Sequence, residues 1–76
     1  AGWLCWGMHG KGTDYSAVVR RNSREKELCI PVRKDIGSVK ITYPSQSHAE
    51  IQVLKEKQCL KLCLEHAFSA CILEIN

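Results

Sequence analysis

From Cys59 the chain alternates. Leu60, Leu62 and Leu64 fall on one side, and Cys59, Lys61, Cys63 and Glu65 on the other. Period two is the side-chain repeat of a β-strand, so this stretch reads as a strand with one apolar face. A rival reading runs one helix across residues 48–73, with Leu60, Leu64, Ala67 and Cys71 on a common face. Strands are preferred. A helix of about 26 residues would exceed the usual 11–12, and a chain of 76 residues could barely cover it.

The same alternation recurs upstream. Val39, Ile41 and Tyr43 alternate with Lys40 and Thr42. Residues 13–20 set Tyr15, Ala17 and Val19 on one face. Residues 27–33 set Leu28, Ile30 and Val32 against Glu27 and Arg33, and Pro31 suits an edge or a strand end. Asn22-Ser23 and residues 35–37 read as turns. Near the start, Gly2, Gly7, Gly10 and Gly12 punctuate the apolar residues Trp3, Leu4, Cys5, Trp6 and Met8. Residues 68–75 are again apolar and strand-like. One helix is expected after Pro44. Ser47-His48-Ala49-Glu50 has the form of a capping box, in which serine and glutamate each satisfy the other's backbone N–H, and residues 49–58 are mostly helix formers. The expected order is four strands, one helix, two strands.

Size then sets limits. A chain of 76 residues is one domain, residues 1–76, and a domain near this size buries only about 60% of its unfolded surface. Hydrophobic content of 45% excludes a disordered chain. Five cysteines in so short a chain favour an oxidising compartment, and an odd number leaves at least one outside any intramolecular pair. No run of 18 apolar residues spans a membrane. The start at Ala1 fits a processed N-terminus. Net charge is +3, with the surplus in Arg20, Arg21, Arg24 and Lys26 beside Glu25 and Glu27. That cluster reads as a solvated strand end or turn; an anionic partner is the sharper alternative.

Chemistry-bearing motifs are sparse. Cys59, Cys63, His66 and Cys71 are soft ligands, but their spacing matches no common zinc finger and leaves little loop to wrap a metal. No local signature places a cysteine or serine nucleophile beside a histidine. No metal, cofactor or catalysis is therefore expected. Trp3, Trp6, Met8, Tyr15 and Tyr43 are candidates for an exposed aromatic surface, where ring faces stack on sugar C–H faces or on bases. The competing reading places the tryptophans in the core.

Three stretches carry a resemblance. Residues 39–48, reading VKITYPSQSH, resemble a cholera-type strand that ends in proline and turns through Ser-Gln-His. Lys61-Leu62-Cys63 resembles its Lys-Leu-Cys. Residues 66–76 resemble its closing strand and terminal Asn, while Leu4-Cys5 and His9 stand where that family has an early Leu-Cys and a His. Thr13-Asp14-Tyr15-Ser16 resembles the Tyr/Ser sialic-acid site of pertussis- and subtilase-like subunits. The chain thus resembles the receptor-binding B subunits of AB5 bacterial toxins.

That resemblance implies a mainly β OB-fold, a small five- to six-stranded barrel with one helix. It implies a secreted homopentamer that binds host cell-surface glycans and delivers a catalytic A subunit. It implies glycan-binding residues at Trp6, Tyr15, Ser16, Gln46 and His48, and a Cys5–Cys63 disulfide, leaving Cys29, Cys59 and Cys71. No nucleic-acid partner and no membrane insertion are expected. The alternatives are a chemokine-like cytokine and a nucleic-acid-binding OB module using the arginine cluster with the tryptophans.

Overall fold

A computed structural model of the chain describes residues 2–33, 35–44 and 49–76. Among the described residues seven strands follow one another: β1 Trp3–His9, β2 Asp14–Arg20, β3 Glu27–Pro31, β4 Val39–Tyr43, β5 Ala49–Leu54, β6 Cys59–Leu64 and β7 Ser69–Ile75. They form two antiparallel sheets, a four-stranded one in the order β1-β2-β7-β4 and a three-stranded one in the order β3-β6-β5. β2 pairs with β7 and β3 pairs with β6. β4 and β5 then extend the far sides of β7 and β6. This nesting follows the wrapping of a jelly roll cut short of its usual eight strands. The mainly β expectation holds, but the expected small barrel does not close; the strands divide into two facing sheets.

The expected helix is also corrected. Residues 49–54 are strand β5, followed only by a 3-10 turn at Lys55–Lys57. Helix propensity is a weak prior that tertiary pairing overrides. Ala49, Ile51 and Val53 alternate with Glu50 and Gln52, and they pack on the core once β5 lies along β6. Ser47 of the proposed capping box lies outside the described residues, and Glu50 sits in a strand. The turn ends at Gln58 in the left-handed region, φ 50°, where its N–H donates to the Lys55 carbonyl at 3.1 Å.

The core lies between the sheets. Leu60, Leu62 and Leu64 of β6 are buried against Val18, Ile30, Cys71, Leu73 and Ile75, with Ile36 contributed by the β3–β4 connection. Fully burying each such leucine contributes about 1.5–3 kcal/mol. β6 therefore behaves as its alternation predicts. β2 does not follow the simple rule of apolar inside and polar outside. It buries Ser16, Val18 and Arg20 and leaves Tyr15, Ala17 and Val19 half-exposed on the opposite face.

Arg20 closes one end of the sandwich. Its Nη1 donates to the carbonyls of Leu64 at 2.7 Å and Glu65 at 3.0 Å, and its Nη2 to that of Ser23 at 2.6 Å. One member of the sequence's basic cluster is thus a buried bolt. Lys26 pairs with Glu65 at 2.8 Å. Arg21 and Arg24 alone of the four line a surface hollow, beside the exposed Phe68.

Candidate functional site

The two outer faces of the sandwich differ in kind. On the three-stranded sheet the outward residues of β6 are Cys59, Lys61 and Cys63. Across from them stand Glu27, Cys29 and Pro31 on β3 and Glu50, Gln52 and Leu54 on β5. Lys61 Nζ lies 3.1 Å from Glu27 Oε2, and this hydrogen bond raises the lysine's pKa. That face is polar and thiol-bearing.

The four-stranded sheet turns an apolar, aromatic face outward. Register places Trp6 beside Ala17, Ala17 beside Ile72, and Ile72 beside Tyr43. Four strands spaced 4.7–4.9 Å apart carry this row across about 14 Å. Trp6 and Tyr43 stand at its two ends, 51% and 67% exposed. The small Ala17 between them leaves the middle of the row low.

Tyr43 reaches this face through a bulge. β4 pairs regularly up to Ile41, and the register then shifts so that Tyr43, not Thr42, opposes Ile72. One extra residue reverses the alternation. Val39 and Ile41 consequently pack on the core while Tyr43 is turned out. Thr42 Oγ1 donates to the Ile72 carbonyl at 3.2 Å and fixes the bulge.

A second row lies alongside: Met8, Tyr15, Glu74 and Lys40. It is polar at the β7–β4 end. Tyr15 O–H donates to Glu74 Oε1 at 3.5 Å, Lys40 Nζ lies 3.2 Å from Glu74 Oε2, and Asn76 Nδ2 donates to the same oxygen at 3.3 Å. Hydrogen bonding from Lys40, then from Asn76, lowers the Glu74 pKa. The carboxylate is held charged, flanked by an ammonium and a phenol. On the other side of the aromatic row lie Leu4, Val19 and Ala70. An aromatic platform edged by a fixed carboxylate, ammonium and phenol can stack on a sugar ring and bond its hydroxyls.

The residues expected to bind glycan divide. Trp6 and Tyr15 share the outer face. Ser16, adjacent to Tyr15 in sequence, points to the other face, is 5% exposed, and has its Oγ 3.3 Å from Cys5 Sγ. A strand sends neighbouring side chains to opposite sides, so Tyr15 and Ser16 do not form one site. Gln46 and His48 lie outside the described residues. Trp3 packs against the core, and its Nε1 donates to the Glu25 carbonyl at 3.1 Å. The core reading of the tryptophans thus holds for Trp3, while Trp6 is at the surface. Glu74, Lys40 and Ile72 were not singled out by sequence; only the register of β7 with β2 and β4 assembles them.

The Cys5–Cys63 disulfide is corrected. All five cysteines are free. Cys5 is on the four-stranded sheet, and Cys63 is on the outer face of the other sheet, beside Glu27 and Glu50. The core separates them, and no bridge spans it.

A cleft of about 320 Å³ opens between the edges of β1 and β3, lined by Cys5, Gly7, His9, Asp14, Ile30 and Arg33 among others. His9 Nδ1 and Asp14 Oδ1 are 2.9 Å apart, and Arg33 Nη1 lies 3.1 Å from Asp14 Oδ2. The hydrogen bond with His9 lowers the Asp14 pKa. Cys5 contacts Ser16 while His9 contacts Asp14, so thiol and imidazole are engaged separately. Among the described residues no group of three or more His, Cys, Asp and Glu is placed to hold a metal. None of their helices is long and apolar enough to cross a membrane.

The chain matches no family model, no curated protein and no solved structure.

Proposed function

We propose that this chain is a glycan-binding module and that its binding surface is the outer face of the four-stranded sheet. The observation that carries the reading is the row Trp6, Ala17, Ile72, Tyr43, with Tyr15, Glu74 and Lys40 alongside it. Two exposed aromatic residues on strands about 14 Å apart suit a short oligosaccharide better than a single ring. Trp6 and Tyr43 supply stacking surface. Glu74 accepts from sugar hydroxyls, and Lys40 and Tyr15 donate to them.

Weak binding at one such face becomes useful when several copies act together. Secretion and host cell-surface glycans come with the AB5 resemblance and belong to this proposal. The OB-fold, the pentameric ring and the catalytic A subunit stand on that resemblance alone. The seven-strand, two-sheet order lends them no support, and they are not carried forward.

A glycan array tests the reading. Binding to a defined set of oligosaccharides is expected, with loss on Trp6→Ala and on Tyr43→Ala. A blank array, or binding that neither substitution weakens, overturns it.

A further inference from the structure

Two sheets that do not close leave four edge strands: β1, β4, β3 and β5. Unprotected edges invite pairing with other chains, and proteins blunt them with proline, charge and bulges. β3 ends in Pro31 and carries Glu27. β4 is bulged and carries Lys40. β5 carries Glu50. β1 has none of these devices. It is seven residues long, WLCWGMH, with no proline, no bulge in its pairing and no acidic, lysine or arginine side chain.

The direction of its free hydrogen-bonding groups follows from two measured bonds. Arg21 N–H donates to the Gly2 carbonyl at 2.6 Å, and Gly10 N–H to the Thr13 carbonyl at 2.7 Å. Both pairs fall in the β1–β2 register, on even-numbered residues of the first strand. In an antiparallel ladder hydrogen-bonded pairs alternate, so Leu4, Trp6 and Met8 spend their backbone groups on β2. Trp3, Cys5, Gly7 and His9 turn theirs outward.

We infer that β1 pairs antiparallel with β1 of a second copy, about a two-fold axis at Trp6. This register satisfies every constraint at once. Trp3 opposes His9 of the second copy and Cys5 opposes Gly7, so the outward groups of all four odd-numbered residues meet their complements. Trp6 then opposes Trp6 at a non-hydrogen-bonded pair, where Cα atoms approach to about 4.5 Å and side chains are closest. Leu4 opposes Met8. No like charges meet across the pair, and an isologous contact of this kind is self-complementary by symmetry.

The pairing joins two four-stranded sheets into one of eight, and the row Tyr43, Ile72, Ala17, Trp6 continues into its symmetry copy. Leu4, Trp6 and Met8 are each only about half-exposed before pairing. The buried area therefore falls short of the roughly 1,200 Å² of a standard stable interface, and the dimer is weak and concentration-dependent. The inference rests on the strand edge and stands whether or not the face binds glycan.

Sedimentation equilibrium and native mass spectrometry over a dilution series test it. A monomer–dimer equilibrium is expected. Gly7→Pro removes an outward N–H without touching the β1–β2 ladder. Because the two-fold removes that bond twice, dimerisation should weaken about tenfold or more. Trp6→Lys and Trp6→Glu should each abolish the dimer, and mixing the two should restore association, since opposite charges then face each other. A monomer at every concentration overturns the inference. So does a five-membered ring, or an assembly that all three substitutions leave intact. Glycan binding by a strictly monomeric chain would sink this pairing and leave the binding proposal standing.

Discussion

Arg20 Nη1 lies 2.7 Å from the carbonyl oxygen of Leu64, and the same guanidinium also holds the carbonyls of Glu65 and Ser23. One side chain thereby ties the end of β2 to the end of β6 and to the turn after β2. Arg20→Ala leaves three acceptors without this donor, and a loss of about 3 kcal/mol is expected by urea denaturation. Arg20→Lys should rescue little, because a single ammonium lacks the planar fork that reaches all three.

Leu62 is fully buried at the centre of the sandwich. Leu62→Ala should cost about 2–5 kcal/mol by the same measurement. A cost below about 1 kcal/mol would mean that the two sheets do not pack through β6.

Cys71 is buried, and burial pushes its thiol pKa up from 9.0 to about 11, with the nearby Cys5 adding to the rise. Between those values the folded chain keeps a proton that the unfolded chain has lost. Stability should therefore be undiminished below about pH 9 and fall as pH rises toward 11. The full effect is about 3 kcal/mol. Denaturation midpoints measured across that range check it, and Cys71→Ala should flatten the fall.

Five free thiols imply a definite reactivity pattern. Cys5 and Cys29 are exposed and should react quickly with a thiol reagent in the native state; Cys71 should react only on unfolding. Reducing agent should leave the melting temperature unchanged. A drop of about 10 °C or more on reduction would reveal a disulfide across the sandwich.

Gln58 holds a left-handed backbone conformation, φ 50°, at the end of the 3-10 turn. That region costs a residue with a Cβ roughly 1–2 kcal/mol. Gln58→Gly should therefore stabilise the chain by up to about 1 kcal/mol, the greater chain entropy of glycine offsetting part of the gain. A thermal melt reads it out.

Much of the architecture was legible because it depends on period-two patterns. Leu60, Leu62 and Leu64 announced β6, and the alternation of Val39 and Ile41 with Lys40 announced β4. Local reading failed where pairing partners decide. Residues 49–58 hold good helix formers, yet Ile51 and Val53 pack on the core once β6 is available to pair with them. Tyr43 is among the expected surface aromatics and is exposed, but simple alternation sets it on the face of Val39 and Ile41; the bulge that turns it out is not visible in the sequence. Of the site, Trp6, Tyr15 and Tyr43 were visible as aromatics. Glu74 and Lys40 were not, because their meeting depends on the register of β7, which no local pattern encodes. The pairing of Ser16 with Tyr15 rests on the resemblance to a Tyr/Ser sialic-acid site, and in a strand such neighbours point to opposite faces.

The contrast between the outer faces gives the molecule a front and a back. Cys29, Cys59 and Cys63 lie behind, on the three-stranded sheet, and the aromatic row lies in front. With Cys5, the other exposed thiol, replaced by serine, a chain anchored through Cys29 to a maleimide-bearing surface is held with its aromatic face outward. The thiol that forms no disulfide here becomes a ready-made handle for oriented display.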